Sequence, residues 1–144
     1  LRAASVTRLT RAFAAAPPGL WRVAVMHHAP VPAADGTAAD IADPAGTLAA
    51  LARAGADVVL SGHTHMPHAG FAATAAGVLF LQVGTALSTR LKTGTNDVAL
   101  VTLGQGQVTV DSWLSPPGVS AFSPGPTLTY TRPQAAWQKL AKGE

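Results

Sequence analysis

Five histidines are the side chains in this sequence most able to take part in chemistry, and they form two groups. His27 and His28 are adjacent in VAVMHHAP, and His63, His65 and His68 lie close together in VVLSGHTHMPHAG. Each group follows an apolar run. Neutral imidazole is a good ligand for zinc, iron, manganese or nickel. The sequence therefore predicts a metal site, and the absence of cysteine excludes thiolate ligands and disulfides.

The GHTH stretch has a spacing that suits two metal ligands. In an extended segment the side chains of His63 and His65 would point the same way, because they are two residues apart. Gly62 lacks a Cβ and would permit an unusual backbone turn close to an ion. His27 and His28 would point to opposite sides of a strand, so we expect only one of them to face the site.

Carboxylates are scarce beside these imidazoles. A two-metal hydrolytic site needs a bridging carboxylate to hold two cations ~3.5–4 Å apart. Only Asp35 and Asp40, in a long Pro/Gly/Asp loop over residues 29–43, could reach the histidines, and neither is clearly a bridging ligand. Four acids are expected elsewhere, as a helix cap, at the far end of a strand or in antiparallel strands: Asp43, Asp57, Asp97 and Asp111.

The elements that must position the histidines are a strand, a helix and a second strand. Residues 5–16 read as an amphipathic helix, and residues 21–26 and 57–60 as short buried strands. Between the strands, Asp43-Pro44 is a helix start and Gly55 a helix stop. A strand, crossover helix and strand make a βαβ unit with parallel strands. Parallel strands carry functional groups at their carboxyl ends, so both histidine groups are predicted at one sheet edge.

The second half of the chain predicts antiparallel strands. Residues 78–83, 98–103 and 108–114 are strand-like, and Gly104-Gln105-Gly106 is a hairpin-type turn. From residue 115 the sequence is irregular, with a short strand expected at 127–131 and a short helix from Pro133.

Composition limits the function classes. The 144 residues suit one domain, and no apolar run approaches the length of a membrane span. The net charge is +3, but the ten cations are scattered, so we expect neither a nucleic-acid surface nor a membrane partner. We expect a cytoplasmic location. The oligomeric state stays open.

The histidine segments resemble the calcineurin-like metallophosphoesterase superfamily, as found in bacteria. VAVMHHAP and GADVVLSGHTHMP resemble its later motifs, and LFLQVGTALSTRL resembles the segment that follows GHTH. The likeness covers residues 1–114, and 115–144 is expected to be an irregular tail of the same domain. The resemblance implies an α/β fold: the C-terminal half of a four-layer αββα sandwich, with a mixed sheet containing the βαβ unit followed by antiparallel strands.

The resemblance also implies roles for individual histidines. His27 and His63 match ligands of the second metal, and His65 matches a ligand of the first. His28 matches a position that is often histidine but does not bind metal, and His68 matches no ligand. The implied cofactors are two divalent ions, drawn from manganese, iron, zinc and nickel.

Three motifs of that superfamily do not occur in this chain. Its first half supplies D-x-H, G-D and G-N-H motifs, none of which is found here. We therefore expect the chain to be the C-terminal fragment of a metal-dependent phosphoester hydrolase, with little or no activity on its own.

Two alternatives remain. The chain could be a non-catalytic relic that binds metal or a partner, or a mononuclear three-histidine zinc hydrolase, which the resemblance makes less favourable. The expected substrate of the hydrolase is a small phosphoester. Arg90, in STRL, is a candidate phosphate-binding residue, although a solvated arginine beside Lys92 explains it equally well.

Overall fold

The structure is a computed structural model that describes residues 3–140. Within them the chain forms two helices, eight strands and two 3₁₀ turns. The helices are α1 (Ala3–Ala15) and α2 (Pro44–Arg53), and the turns are Ala73–Ala75 and Pro133–Ala135. The strands are β1 (Val23–His28), β2 (Val58–Gly62), β3 (His68–Gly70), β4 (Leu79–Gln82), β5 (Asn96–Leu103), β6 (Gln107–Ser115), β7 (Ser123–Thr131) and β8 (Gln138–Lys139).

The first sheet is mixed and has the order β1-β2-β4-β3. β1 and β2 are parallel and α2 connects them, which confirms the predicted βαβ unit. β4 also runs parallel to β2, with Val58 paired to Leu79. The prediction that residues 78–83 belong to the antiparallel part was therefore wrong. The short β3 turns the chain back, so that β4 re-enters the mixed sheet beside β2 in the same direction.

The second sheet is antiparallel and has the order β5-β6-β7-β8. β5 and β6 form the predicted hairpin around Gly104-Gln105-Gly106. β7 begins at Ser123 rather than at residue 127, because Ser123 and Pro124 still pair with Leu114 and Trp113 of β6 beyond a bulge at Gly125 and Pro126. The region after residue 115 is thus more regular than the sequence suggested, and the expected helix from Pro133 is a single 3₁₀ turn.

Alternating side chains divide the core into two parts. On one face of the mixed sheet, Val59 and Phe80 pack with Phe13 of α1 and Leu51 of α2. On the other face the mixed sheet packs against the antiparallel sheet through Val58, Leu79, Val108, Tyr130 and Trp137. The described residues therefore form a helix layer and two sheet layers. The predicted α/β fold, with a mixed sheet followed by antiparallel strands, is confirmed.

The start and end of α2 follow the sequence signals. Asp43 is the N-cap and its Oδ1 accepts a hydrogen bond from the Gly46 N–H at 2.9 Å, while Pro44 occupies the first helical position. Gly55 follows the last turn with a φ of 80°. Within residues 3–140, neither helix is long and apolar enough to cross a membrane.

A partly buried ion pair joins the two sheets at the amino ends of the parallel strands. Asp57 accepts a hydrogen bond from the Arg22 N–H at 2.8 Å and pairs with the Arg132 guanidinium. That guanidinium also lies over Trp21 and Trp137, 5.7 and 5.2 Å from the ring centroids. Asp57 therefore has a structural role. It precedes β2, whereas His63 follows the other end of that strand.

Tyr130 gives a test of the packing between the sheets. It is 1% exposed, and its hydroxyl donates a hydrogen bond to the Ala69 carbonyl at 2.8 Å. We expect Tyr130→Phe to lower the free energy of unfolding by about 1 kcal/mol at neutral pH, since the carbonyl loses its partner. Urea denaturation measures this value.

The same variant should change the response to alkali. Burial raises the pKa of Tyr130. The native state therefore keeps its proton at a pH where the unfolded tyrosine ionises, and wild-type stability should fall as the pH rises above about 10. Because Tyr130 is the sole tyrosine, the phenylalanine variant should lack this part of the fall. A difference in unfolding free energy between the wild-type chain and Tyr130→Phe that stays constant from pH 7 to about 10.5 would contradict the prediction.

Candidate metal centre

The carboxyl ends of β1 and β2 bring the two histidine groups together, as predicted. The strands pair through Val25 with Leu60 and then through His28 with Gly62. β1 thus has one more residue than β2 between these pairs, which is a β-bulge. The bulge interrupts the alternation of side chains, and the His27 and His28 rings meet edge to face with centroids 4.7 Å apart. The expectation that only one of the two faces the site was wrong for this reason.

Three imidazoles form a compact group, called here the imidazole cluster: His27, His28 and His63. Nε2 of His27 lies 3.1 Å from Nδ1 of His63, and the His28 and His63 ring centroids are 4.0 Å apart. One ligand atom from each residue lies within 4.8 Å of the others. Tetrahedral zinc with Zn–N bonds of about 2.0–2.1 Å separates its nitrogens by roughly 3.3 Å. The cluster therefore has a donor set and a spacing that fit one divalent ion.

Asp40 adds a carboxylate to the imidazole cluster. Its Oδ2 lies 3.0 Å from Nε2 of His63 and 3.9 Å from Nε2 of His28, although the side chain is 73% exposed. Of the two loop acids that could reach the histidines, this is the one that does. Asp35 instead accepts hydrogen bonds from Thr37, which lower the pKa of Asp35.

The hydrogen bonds define what each nitrogen of His63 can do. The ionised Asp40 carboxylate can only accept, so Nε2 of His63 carries the proton that it donates to Asp40. In a neutral ring this leaves Nδ1 of His63, which faces His27, as the lone-pair nitrogen. A carboxylate that orients a histidine through its far nitrogen is the usual support for a metal-binding imidazole.

His65 does not join the imidazole cluster. His63 and His65 have φ values of 76° and 60°, so the GHTH segment is not extended and the two side chains diverge. Nδ1 of His65 lies 3.0 Å from the Arg90 carbonyl oxygen, which can only accept, so Nδ1 is the donor. Nε2 of His65 is then the lone-pair nitrogen, and the role of this residue as a metal ligand stays a prediction.

The left-handed backbone conformation occurs at His63 and His65 and not at Gly62, where an unusual turn was expected. A left-handed non-glycine residue costs on the order of 1–3 kcal/mol and needs support from its surroundings. Thr64, between the two strained residues, helps to hold this conformation through its side chain. Its Oγ1 accepts from the Met66 N–H at 3.4 Å and from the buried Gln82 side chain.

The two remaining sequence candidates lie outside the imidazole cluster. His68 begins β3 and pairs with Gln82 of β4. That it binds no metal stays a prediction. Arg90 is exposed in the loop between β4 and β5, and its carbonyl oxygen faces His65. His28 matched no metal ligand in the sequence, yet its ring belongs to the imidazole cluster. The HH dipeptide was a signal for it, but the bulge that brings both rings together was not readable from the sequence.

Comparisons with known proteins give fold likenesses only. No protein-family profile and no curated protein matches the sequence. The similar solved structures include Vps29 from Chaetomium thermophilum, with a TM-score of 0.47 and 16% identity over 65% of this chain and 50% of that one. Vps29 from Entamoeba histolytica complexed with Zn²⁺ has a TM-score of 0.42 and 16% identity, over 60% of this chain and 48% of that one.

A single mutant of the Entamoeba histolytica protein gives similar values: a TM-score of 0.40 and 18% identity, over 56% of this chain and 46% of that one. Vps29 has the calcineurin-like metallophosphoesterase fold. This chain spans about half the length of the solved structures it matches. With TM-scores below 0.5, the likeness is partial and carries no information about activity.

The imidazole cluster can be tested by metal binding. We expect the 144-residue chain to bind one Zn²⁺ or Mn²⁺ ion in isothermal titration calorimetry. His63→Ala should weaken binding by roughly 100-fold, because it removes one of three imidazole ligands and the contact to Asp40. Asp40→Asn should weaken it by about tenfold or less, since this exposed side chain orients His63 without belonging to the three-nitrogen donor set.

His68→Ala is the matched control, because it removes an imidazole outside the imidazole cluster, from β3 at the opposite edge of the same sheet, and should leave the affinity unchanged. Equal losses in the His63 and His68 variants would mean that the measured ion binds surface histidines at random. No saturable binding by the wild-type chain would refute the metal centre.

Proposed function

We propose that this chain carries the histidine side of a metal-dependent phosphoester hydrolase. One observation carries the proposal: at the carboxyl ends of two parallel strands, His27 and His63 are 3.1 Å apart and Asp40 holds the far nitrogen of His63. Parallel sheets place their active groups at this edge. The resemblance of VAVMHHAP and GHTH to metallophosphoesterase motifs supports the same reaction class.

A bound divalent ion would supply Lewis acidity and a lowered pKa for water. The residues of this chain would hold that ion and orient its ligands. His27, His28 and His63 provide lone pairs without charge, and Asp40 keeps the His63 ring in place. Since the three imidazoles leave the charge of an ion uncompensated, the site would attract an anionic phosphoester. His63 is about one-third exposed, so substrate and water have access.

The predicted two-metal centre needs more ligands than the described residues bring together. His65 lies beside the imidazole cluster in sequence, and Nε2 of its ring is free to accept. We propose that His65 contributes to a second ion whose carboxylate ligands come from a preceding half of the protein. Asp40 is the one carboxylate that contacts the imidazole cluster within residues 3–140.

Arg90 is proposed to bind a phosphate oxygen of the substrate. Its backbone is fixed by contacts to Ser88 and His65, and its side chain is exposed on the same loop. A guanidinium there would suit a phosphate group. An unchanged KM for Arg90→Ala, in a chain completed with the missing motifs, would contradict this role.

The proposal predicts low activity for the isolated chain. The 144-residue protein with Mn²⁺ or Zn²⁺ should hydrolyse bis(p-nitrophenyl) phosphate at or near the background rate, because a dinuclear centre lacks its bridging carboxylate. A completed chain that carries D-x-H, G-D and G-N-H motifs upstream should be active, and His63→Ala should abolish that activity. Substantial turnover by the isolated chain, lost in His63→Ala, would favour the mononuclear three-histidine site instead.

A second candidate function is a non-catalytic metal-binding or interaction domain. The observation that favours it is the single carboxylate at a cluster that already fits one ion. The coding sequence upstream of Leu1 separates the two candidates. An in-frame D-x-H, G-D and G-N-H series supports the hydrolase, and a different upstream sequence supports the binding domain.

A further inference from the structure

We infer that the buried Gln82 is a positioning residue of the candidate metal centre, because it holds the GHTH segment through the side chain of Thr64. The inference rests on the proposed function, in which that segment supplies His63 to the imidazole cluster. Gln82 ends β4 and is 4% exposed, and its Nε2 donates a hydrogen bond to the Thr64 Oγ1. The amide thus connects a strand of the mixed sheet to the loop that carries the histidines.

Thr64 takes part in a tight turn on each side. Its N–H donates to the Gly62 carbonyl oxygen at 3.1 Å, which closes a three-residue turn with His63 at the centre and a φ of 76°. This is the strained form of the γ-turn. The Thr64 Oγ1 accepts the Met66 N–H at 3.4 Å, across His65 with its φ of 60°. Whatever fixes the Thr64 side chain therefore helps to fix the directions of both imidazoles.

Gln82 has a backbone that is held from both sides. β4 lies between β2 and β3, and Gln82 pairs with Ser61 of the one and His68 of the other. The Val83 N–H also donates to the Ser61 carbonyl oxygen at 3.0 Å. A supporting side chain positions a site best when its own element is rigid. The sheet therefore supports the strained loop through this one amide.

The burial of Gln82 argues against a role in stability alone. The three residues before it in β4 are buried and apolar: Leu79, Phe80 and Leu81. The Gln82 Oε1 is buried and has no hydrogen-bond partner within residues 3–140. A half-satisfied buried amide destabilises the folded state, whereas methionine would fill the space without that cost. The hydrogen bond that Gln82 does make goes to the loop, which favours a positioning role.

The test measures Zn²⁺ affinity by isothermal titration calorimetry. Gln82→Met keeps the length of the side chain and removes the amide, and it should weaken binding about tenfold, as expected when a group that orients a ligand is lost. Thr64→Val removes the hydroxyl and should have the same effect. Thr64→Ser keeps the hydroxyl and should bind like the wild-type chain.

Ser61→Ala is the matched control. Ser61 pairs with Gln82, is 7% exposed, and its Oγ also lacks a hydrogen-bond partner in the described part of the chain. Since this hydroxyl does not contact the loop, its removal should leave the Zn²⁺ affinity unchanged. A tenfold loss in Ser61→Ala would mean that any change at this depth weakens binding, and it would overturn the inference.

The double variant tests whether the two side chains act together. If the Gln82 amide works through Thr64, Gln82→Met combined with Thr64→Val should weaken Zn²⁺ binding about tenfold in total, as each single change does. A loss of about a hundredfold would mean independent effects and would overturn the inference. An unchanged affinity in either single variant would also overturn it.

Urea denaturation separates positioning from a general loss of structure. The denaturation midpoint of Gln82→Met should not fall, because methionine replaces a half-satisfied amide. Affinity losses that accompany a lowered midpoint in both single variants would assign the contact a structural role and overturn the inference. If Gln82→Met does not fold by circular dichroism, Thr64→Val and Thr64→Ser carry the test, and equal affinities in these two variants would overturn it.

Failure of the proposed function looks different. If the wild-type chain binds no Zn²⁺, a long-range ¹H–¹⁵N spectrum of the metal-free protein should still show His63 as one tautomer, protonated at Nε2 beside Asp40. Gln82→Met should average the two tautomers and Ser61→Ala should not, which would support the positioning role although the metal centre has failed. A His63 ring that is already averaged in the wild-type chain, or unchanged in Gln82→Met, would overturn the inference as well.

Discussion

The parallel pairing of β1 with β2 is the constraint on which the candidate site depends. It brings the carboxyl ends of two strands that are over thirty residues apart in sequence to one edge of the mixed sheet. The one-residue bulge in β1 then turns both His27 and His28 toward His63. Without the pairing the histidines would be separate, and without the bulge one of them would face away. The spacing of the imidazole cluster thus follows from strand register rather than from local sequence.

The two ends of the sheet pair have different character. At the amino ends, Asp57 and Arg132 form a satisfied ion pair beneath two stacked tryptophans, which fixes how the sheets meet. At the carboxyl ends, the sheets leave an open cavity between them and carry partly exposed imidazoles, and the backbone of His63 and His65 is strained. Strained backbone often accompanies function, and it persists where nearby structure is firmly held.

Several features of the site were predictable because their causes are local. The cap at Asp43, the stop at Gly55 and the βαβ unit follow from short sequence signals, and the unit places the histidines at one edge. The bulge in β1, the left-handed conformations of His63 and His65 and the contact of Asp40 with His63 depend on tertiary packing. The parallel pairing of β4 was not predicted for the same reason. An apolar run predicts a strand, but not which strand it pairs with or in which direction.

A long-range ¹H–¹⁵N spectrum of the histidine rings during Zn²⁺ titration tests the imidazole cluster most directly. If the imidazole cluster holds the ion, ring nitrogens of His27, His28 and His63 should move to metal-bound shifts together, while Nε2 of His63 stays protonated on Asp40. His68 should not respond. Metal-bound shifts at His68 with an unchanged His27 and His63 would rule out a metal centre at the imidazole cluster.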